Sequence, residues 1–286
     1  MILDFHSHIF PPYIIQNKAV LLDEDDTLKD LFSGKNSIMA SSEMLIKSMD
    51  KNNVDISVVL GIGWNNEQLS RMSNNYIIDS VKRYPHRLKG FFSVNPLWGS
   101  SALDEIDRCA REGLIGIGEL HPSSQGYDLA NKKLMKPLMD KCFELNLPVL
   151  VHASEPLGHD YPGKGNTTPD VLYRFISNFP DSVIILAHLG GGLPFYNFMP
   201  EVSRAMKNVF FDTAAVPFIY DSDVFDVIDN IIGYDKVIFG TDFPLMEQSR
   251  VYNEITNSSL SNTTKKGIFY DNGFKLLDRQ ESYKAY

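Results

Sequence analysis

Two histidines one residue apart, His6 and His8, close the first apolar segment of the chain. Residues i and i+2 of a β-strand point to the same face, so the two imidazoles would lie side by side at a strand end. Imidazole nitrogens are preferred ligands of a borderline divalent ion such as Zn²⁺. The pair therefore predicts half of a metal site, against the alternative of two hydrogen-bonded polar residues.

Acids and histidines also follow later apolar segments, where they would complete such a site. These residues are Glu119, His121, His152, His188 and Asp242. A carboxylate such as Asp242 is costly to bury unless it is paired or bound to a metal, although it could instead cap a helix. We interpret His152 as a ligand rather than a satisfied core histidine. His188 would bind a second metal or polarise a substrate carbonyl, and His121 would contact substrate or belong to a turn.

These residues must be positioned by the segments that precede them. Eight short apolar or β-branched segments recur, namely Ile2–His8, Ile56–Leu60, Leu88–Val94, Leu114–Leu120, Pro148–His152, Val183–His188, Val209–Asp212 and Val237–Thr241. Stretches with helical periodicity lie between them, which predicts βαβ units and a parallel sheet. Eight such units favour a (β/α)₈ TIM barrel formed by a single domain over residues 1–286, with an open doubly wound sheet as the alternative. In a barrel the C-terminal strand ends form one ring around one pocket.

Two long segments follow strands and would lie beside this pocket. Residues 11–40 separate the first strand from its helix and carry the acidic run 23–26. They predict an extended loop that is either a lid or a solvated surface excursion. The second segment, residues 155–166, is rich in glycine and proline, and its candidate substrate contacts are Glu155, His159, Tyr161 and Lys164. The alternative for this segment is an ordinary structured loop.

Composition excludes several classes of partner. The formal net charge is −9 and the basic residues do not cluster. Phosphate binding needs clustered Lys and Arg, so nucleic acid is not an expected partner. No apolar run approaches about 18 residues, so no membrane span is expected. Two cysteines without an N-terminal secretion signal predict a cytoplasmic protein without disulfides. We expect a small-molecule substrate, and formation of a homo-oligomer stays open.

The ordered set of motifs resembles the metal-dependent amidohydrolase superfamily, in the branch that contains aminocarboxymuconate-semialdehyde decarboxylase. The motifs are Asp-Phe-His-Ser-His (4–8), Gly-Glu-Leu-His-Pro (118–122), Val-His-Ala (151–153), Ala-His-Leu-Gly-Gly-Gly (187–192) and Phe-Gly-Thr-Asp-Phe-Pro (239–244). The resemblance implies a (β/α)₈ barrel whose metal ligands are His6, His8, His152 and Asp242. It further implies that His188 is an auxiliary catalytic residue or a further ligand.

Glu119 bears on how many ions the site holds. Superfamily members with two metals often place a bridging carbamylated lysine or glutamate on the fourth strand, which would make Glu119 a metal ligand. In the decarboxylase branch one metal suffices, and the fourth-strand residue can serve the substrate instead. We expect one divalent ion, zinc by default, and leave a second ion open.

The chemistry predicted for this site is hydrolysis by metal-activated water. A metal lowers the pKa of bound water to about 7, which makes hydroxide available at neutral pH. With Asp242 as general acid and base and His188 at the developing oxyanion, the substrate would be a small-molecule amide, lactone or ester. The first alternative is a lyase that decarboxylates a small unsaturated or aromatic carboxylic acid on the same scaffold. The second is a non-catalytic barrel that binds a metal.

Overall fold

Eight parallel strands form the centre of the protein in the computed structural model, which describes the backbone of residues 1–284 and the side chains of residues 1–278. In chain order they are β1 (Leu3–His8), β2 (Ile56–Leu60), β3 (Leu88–Gly90), β4 (Ile117–Leu120), β5 (Val149–Val151), β6 (Ile184–Leu186), β7 (Val209–Asp212) and β8 (Val237–Ile238). They pair in sequence order, with β1 to β3 in one sheet and β4 to β8 in another. Side chains from both faces of these strands are buried, as expected for a sheet covered by helices.

Backbone hydrogen bonds join the two sheets into one closed barrel. Next to β3 and β4, Phe92 N donates to Gly116 O at 3.0 Å. Between β1 and the residues that follow β8, Phe5 N donates to Phe239 O at 2.7 Å. The (β/α)₈ TIM barrel expected from the sequence is therefore confirmed, and the alternative of an open doubly wound sheet is wrong.

Helices lie between the strands and often begin at residues that cap their free N–H groups. The Asn66 side chain, for example, accepts hydrogen bonds from Gln68 N and Leu69 N at the start of the fifth helix. In chain order the α-helices are α1 (Pro12–Gln16), α2 (Lys18–Leu21), α3 (Asp26–Phe32), α4 (Ser42–Asn52), α5 (Glu67–Arg83), α6 (Ser100–Arg111), α7 (Pro122–Gln125), α8 (Lys132–Glu144), α9 (Pro169–Asn178), α10 (Pro200–Ala205), α11 (Val216–Ile219), α12 (Val224–Ile232), α13 (Gln248–Asn257), α14 (Asn262–Lys266) and α15 (Asn272–Lys284). Shorter 3₁₀ turns span Pro96–Trp98, His188–Tyr196, Met206–Asn208 and Tyr234–Lys236, and a π-helical turn spans Gly267–Asp271. Within residues 1–284, no helix has both the length and the apolar character needed to cross a membrane.

The barrel interior is filled by one cluster of apolar side chains from strands on all sides. Its members on or next to the strands, each no more than 1% exposed, include Leu3, Phe5, Val58, Leu60, Phe91, Leu150, Ile185 and Ile238. Leu276 and Leu277 of α15 belong to the same cluster. Gly273 of this helix packs against Leu3, so α15 closes the N-terminal end of the barrel. The C-terminal end is left for the polar residues that follow the strands.

The segment between β1 and α4 is long, as expected, but it folds into the three short helices α1 to α3. Together with Trp64, its apolar side chains form a separate cluster whose buried members include Phe10, Ile14, Leu21 and Leu28. Asp25 caps α3 by accepting a hydrogen bond from Leu28 N at 2.8 Å, and it also accepts from the backbone of Asn65 and Asn66. The acidic run is therefore partly structural, and the segment is a packed cover rather than a solvated excursion.

Candidate active site

Six polar side chains meet at the C-terminal ends of the strands. They are His6 and His8 of β1, Glu119 of β4, His152 after β5, His188 after β6 and Asp242 after β8. The first five residues are no more than 5% exposed, and the side chain of Asp242 is 14% exposed. The structure therefore brings together every residue that was predicted from the sequence to bind the metal or to act in catalysis.

One half of this cluster contains the two histidines of β1. His6 Nε2 and His8 Nε2 lie 3.1 Å apart. Glu119 Oε2 is 3.6 Å from His6 Nε2 and 3.7 Å from His8 Nε2. Asp242 Oδ1 lies 3.2 Å from His8 Nε2 and 3.8 Å from His6 Nε2. Each of the two imidazole nitrogens thus lies within 4 Å of both carboxylate oxygens. A cation bound between the four atoms would neutralise the carboxylate charge.

The other half of the cluster uses the second oxygen of the same glutamate. Glu119 Oε1 is 3.1 Å from His152 Nδ1 and 3.6 Å from His188 Nε2. The two ring nitrogens are 3.2 Å from each other. Glu119 therefore lies between the two halves, with one carboxylate oxygen in each.

Backbone carbonyls fix the hydrogen positions on two of these rings. A carbonyl oxygen only accepts hydrogen bonds, so His188 Nδ1, 2.8 Å from Ala214 O, carries a hydrogen. For the same reason His152 Nε2, 3.1 Å from Lys164 O, carries one. In the neutral rings, His188 Nε2 and His152 Nδ1 then turn lone pairs toward each other and toward Glu119. This arrangement is stable only if a proton or a metal ion supplies positive charge between them.

Asp212, the last residue of β7, orients a third ring. Its Oδ2 is 2.8 Å from His6 Nδ1, which turns His6 Nε2 toward the cluster. Its Oδ1 accepts hydrogen bonds from the backbone of His188 at 2.9 Å and of Ala214 at 3.0 Å. Asp212 was not among the site residues predicted from the sequence. The signal that could have found it was a carboxylate at the C-terminal end of a barrel strand.

Asp4 is a second supporting residue that was not predicted from the sequence. It is fully buried and accepts hydrogen bonds from Ser7 Oγ at 2.8 Å, Thr241 Oγ1 at 2.7 Å and Gln248 Nε2 at 2.8 Å. Thr241 immediately precedes Asp242, so Asp4 ties that part of the site to β1. A single acid within an apolar segment was the only sequence signal for this role.

The charges and hydrogen bonds of the cluster outweigh the effect of burial on the pKa values of His6 and Glu119. Burial alone would lower the pKa of His6, but the negative charges of Asp212 and Glu119 raise it well above its usual value. Burial alone would raise the pKa of Glu119, but the charge of His6 and hydrogen bonds from His152 and His188 hold it well below its usual value. Glu119 is therefore an ionised carboxylate at neutral pH.

The pKa values of Asp242 and His188 are also shifted by neighbouring groups against the effect of burial. Burial alone would raise the pKa of Asp242, yet the hydrogen bond from His8 and the charge of His6 lower it to about 2. Burial alone would lower the pKa of His188, yet the hydrogen bond to Glu119 and its charge raise it to about 9. The cluster thus attracts positive charge, as a proton on an imidazole or as a metal ion.

The donor set fits a divalent metal ion. Two overlapping groups, His6–His8–Glu119 and Glu119–His152–His188, each place their ligand atoms within 4.8 Å of one another. Imidazole nitrogens suit zinc and carboxylate oxygens suit harder ions such as manganese, so a mixed set is compatible with either. The cluster can therefore hold one ion in either group, or two ions that share Glu119.

His121, a candidate substrate contact from the sequence, lies behind this cluster. Its ring stacks on the ring of His152 with centroids 4.1 Å apart, and its Nε2 donates to Gly163 O at 2.8 Å. Burial and the positive charge of His152 lower the pKa of His121 to about 3, so its ring is neutral. The contacts of His121 thus hold His152 and the loop after β5 in place.

The loop of residues 155–166 carries the remaining candidate substrate contacts. Tyr161 OH donates to Glu155 Oε2 at 2.8 Å, which pairs two of them at the mouth of the barrel. His159 is exposed, and its ring centroid lies 5.7 Å from that of Tyr161. Lys164 Nζ donates to the carbonyl oxygen of His159 at 3.0 Å, within the loop itself. Within residues 1–278 the side chains of these four residues make no hydrogen bond to the six-residue cluster, whereas the backbone carbonyl of Lys164 accepts one from His152 Nε2 at 3.1 Å.

A left-handed turn positions His188 and links two neighbouring loops. Residues 188–192 all have positive φ values, between 50° and 95°. Gly191 packs so tightly against the backbone of Ser154 that a Cβ atom would collide with the Ser154 carbonyl oxygen. Glycine at this position therefore allows the turn after β6 to touch the loop after β5.

The chain is similar over most of its length to known decarboxylases. A 2-amino-3-carboxymuconate-6-semialdehyde decarboxylase of Dictyostelium discoideum is 24% identical to this chain over an alignment of 331 positions. The alignment covers 96% of this chain and 91% of the relative. The crystal structure of 5-carboxyvanillate decarboxylase from Sphingomonas paucimobilis has a TM-score of 0.79 at 16% identity and covers 97% of this chain and 98% of its own. The structure of a dihydroxybenzoic acid decarboxylase from Polaromonas sp. JS666, with bound manganese and the inhibitor 2-nitroresorcinol, has a TM-score of 0.76 at 17% identity, with coverage of 97% and 96%.

These similarities correct the expected chemistry. Hydrolysis of an amide, lactone or ester was the main prediction from the sequence, and it is wrong, because these relatives and structural neighbours are decarboxylases. The physical reason for the error is that the same imidazoles and carboxylates that would activate water for hydrolysis also bind a metal for decarboxylation.

The family assignment rests on nearly the whole chain. The model of the family described as Amidohydrolase matches residues 4–279. That range includes every member of the six-residue cluster, from His6 to Asp242. The chain therefore belongs to the amidohydrolase family and has its TIM-barrel fold.

Proposed function

We propose that this protein is a metal-dependent decarboxylase of a small unsaturated or aromatic carboxylic acid. The observation that carries the proposal is the six-residue donor cluster in a chain that is similar over 96% of its length to a decarboxylase. The non-catalytic barrel is the weaker alternative, because both catalytic candidates, Asp242 and His188, are present and belong to the cluster.

We assign the metal ligands to His6, His8, His152 and Asp242, with Glu119 as a further ligand. One divalent ion is the expected content, and either zinc or manganese suits these donors. A second ion would require Glu119 to bridge. An ion held by these residues would neutralise the negative charge of the substrate carboxylate and of a neighbouring substrate oxygen.

Asp242 is the candidate for proton transfer. Decarboxylation breaks a carbon–carbon bond, and the electron pair stays on the carbon that loses CO₂, which must then gain a proton. Asp242 is the most exposed member of the cluster, at 14%, so a substrate can reach its carboxylate. Asp242 is ionised before substrate binds, so we propose that the negative charge of the bound substrate raises its proton affinity, that it then takes up a proton from water at the mouth of the site, and that it transfers this proton to the carbon that loses CO₂, which leaves Asp242 ionised again. His188, whose Nδ1 is held by Ala214 O, would stabilise the developing negative charge through Nε2.

The candidate substrate contacts now divide into two groups. Glu155 and Tyr161, hydrogen-bonded to each other at the mouth of the barrel, are proposed to contact substrate directly. His121 would act through His152, on which it stacks. His159 and Lys164 would act by holding the loop, since Lys164 Nζ donates to His159 O.

Release of CO₂ tests the proposal. The purified protein, loaded separately with Mn²⁺ and Zn²⁺, would be incubated with 2,6-dihydroxybenzoate and 5-carboxyvanillate, and CO₂ and the decarboxylated product would be measured. We expect CO₂ and product in equal amounts from at least one acid of this class, and none from the His8→Ala variant. Absence of CO₂ release across a broad panel of unsaturated and aromatic acids, at full metal loading, would leave the non-catalytic barrel.

A further inference from the structure

Two consecutive carbonyl groups of the loop after β5 hold the rings of two stacked histidines. Gly163 O accepts a hydrogen bond from His121 Nε2 at 2.8 Å, and Lys164 O accepts one from His152 Nε2 at 3.1 Å. The centroids of the two rings are 4.1 Å apart. Ser154 Oγ also donates to Lys164 O. The backbone of this loop therefore touches the histidine that we assign to the metal.

The carbonyl of Lys164 determines which nitrogen His152 turns toward the cluster. Because a carbonyl oxygen only accepts hydrogen bonds, the hydrogen of a neutral His152 ring lies on Nε2. Its Nδ1 then presents a lone pair 3.1 Å from Glu119 Oε1 and 3.2 Å from His188 Nε2. Without the carbonyl, the hydrogen is free to move to Nδ1, where it would point at an incoming ion. An acceptor behind a ligating histidine is for this reason important for metal affinity.

This acceptor belongs to a surface loop, unlike Asp212, which orients His6 from a strand. The loop is closed at its base, where Ser154 N donates to Thr167 O at 3.0 Å, and residues 156–160 at its tip are exposed. Surface loops open at a lower free-energy cost than strands do. Opening of this loop would withdraw Lys164 O from His152, so the position of the loop and the orientation of the ligand are linked.

Gly165 allows the loop to come this close. Its φ is +68°, in the left-handed region, and a Cβ atom there would lie 2.6 Å from Ser123 Oγ and 2.9 Å from Ser123 Cβ. Alanine at this position would therefore push the loop, and with it the adjoining carbonyl of Lys164, away from His152. Gly158, in the exposed tip, also has a positive φ of +91°, but a Cβ atom there would meet nothing within 4 Å among residues 1–278 other than its chain neighbours.

We infer that Gly165 is a positioning residue, which seats the carbonyl of Lys164 on His152 and thereby fixes the nitrogen that His152 presents to the cluster. Closure of the loop then favours metal binding, and by reciprocity a bound ion favours the closed loop by the same factor. The metal part of the inference rests on the proposed function, in which His152 is a ligand, and it does not depend on decarboxylation.

Metal affinity tests the inference without requiring turnover. Zn²⁺ binding would be measured by competition with a chelator for the wild type, Gly165→Ala and Gly158→Ala. We expect Gly165→Ala to lose about 10–100-fold in affinity, as is usual when a partner of a ligating histidine is removed. Gly158→Ala should bind Zn²⁺ as the wild type does, because it has the positive φ without the collision. Unchanged affinity in Gly165→Ala, or an equal loss in both variants, would overturn the inference.

A compensating change separates the collision from a general folding defect. Ser123→Gly removes both atoms that an alanine at position 165 would strike. We expect Ser123→Gly/Gly165→Ala to bind Zn²⁺ as tightly as Ser123→Gly alone. A loss that is as large in this background as in the wild type would show that the collision does not act on His152.

The His152 ring reports the same contact in the metal-free protein. Its Nε2 hydrogen, held by Lys164 O, should give a ring ¹H–¹⁵N resonance, which is identified by its absence from His152→Gln. The resonance should persist in Gly158→Ala and disappear from Gly165→Ala. Its absence from the wild type, or its persistence in Gly165→Ala, would contradict the inference. If the resonance behaves as expected but the wild type binds neither Zn²⁺ nor Mn²⁺, the positioning role stands and the proposed function fails.

Discussion

Asp212 Oδ2 accepts a hydrogen bond from His6 Nδ1 at 2.8 Å, so the last residue of β7 sets which nitrogen of His6 faces the metal cluster. The same carboxylate holds the backbone of His188 through its other oxygen. One carboxylate outside the ligand set thus orients residues in both halves of the cluster. Residues in this position commonly affect metal affinity about 10–100-fold.

Asp212→Asn should therefore weaken metal binding while leaving the ligands in place. An amide can present its NH₂ group to His6 Nδ1, which would move the ring hydrogen to Nε2 and turn it toward the ion. We expect a loss of about 10–100-fold in metal affinity, measured by competition with a chelator. Asp181→Asn, at an exposed carboxylate that precedes β6, is the control and should bind metal normally. Unchanged affinity in Asp212→Asn would show that the His6 orientation is set by other contacts.

Either His6→Ala or His8→Ala should abolish metal binding and activity together. Each change removes a nitrogen that lies within 4 Å of Glu119 Oε2. The barrel should persist, because its interior is formed by apolar layers beneath the site. Elemental analysis and far-UV circular dichroism measure the two effects. His86→Ala, at an exposed histidine before β3, should retain both metal and activity. Unfolding of the histidine variants at room temperature would contradict this expectation.

Asp242→Asn distinguishes metal binding from proton transfer. If Asp242 also transfers the proton, the variant should fail even when fully loaded, because an amide cannot take up a proton as a carboxylate does. The expected loss in kcat is about 10²–10⁴-fold, the usual contribution of a positioned acid or base. Turnover would be measured at saturating metal, with occupancy checked by elemental analysis. A near wild-type kcat in the loaded variant would pass the proton role to His188.

The stability of the protein should depend on pH through Glu105, far from the active site. Its buried carboxylate accepts hydrogen bonds from Arg108 Nη2 at 2.6 Å and Asn74 Nδ2 at 2.9 Å. Burial alone would raise the pKa of Glu105, but these hydrogen bonds and the Arg108 charge lower it. Because its pKa is lower in the folded state, the stabilisation is complete above the unfolded pKa and is lost as pH falls through the folded pKa.

Glu105→Gln should accordingly destabilise the protein by about 2 kcal/mol at pH 7, the size expected for hydrogen bonds to a charged group. The difference from the wild type should shrink as the solution is made acidic. Urea unfolding at a series of pH values measures both effects. Glu112→Gln, which removes an exposed partner of Lys82, should change little. A difference that does not vary with pH would mean that the Glu105 charge contributes nothing.

Much of the fold and the donor cluster could be predicted because strand ends in a barrel share one face. The positions of His6, His152 and Asp242 after apolar segments were enough to place them together. Asp212 ends an apolar segment as Asp242 follows one, so its strand-end position was a usable signal, but its role in orienting His6 is known only once the strands are closed. Asp4 was missed because a single acid within an apolar segment does not reveal its partners. The helices α1 to α3 were missed because elements of four to seven residues leave little periodicity to read.

The choice between hydrolysis and decarboxylation could not be made from the residues. Both reactions use imidazoles, carboxylates and a metal in the same ring, so the composition of the site is the same for either. What differs is how the substrate is oriented, which depends on the loops rather than on the strand ends. The contact between Tyr161 and Glu155 is an example, since it requires the loop to fold back on itself.

The seam between the first and last strands has a consequence for how the protein responds to metal. His6 and Asp242 are far apart in sequence, yet Asp242 N donates to His6 O at 2.8 Å, and both side chains belong to the donor cluster. An ion held by both would cross-link the two ends of the barrel, so opening of this seam would release it. By mass action, metal should then slow hydrogen exchange most at β1 and β8, and metal loss should make this seam the first place where a protease can enter.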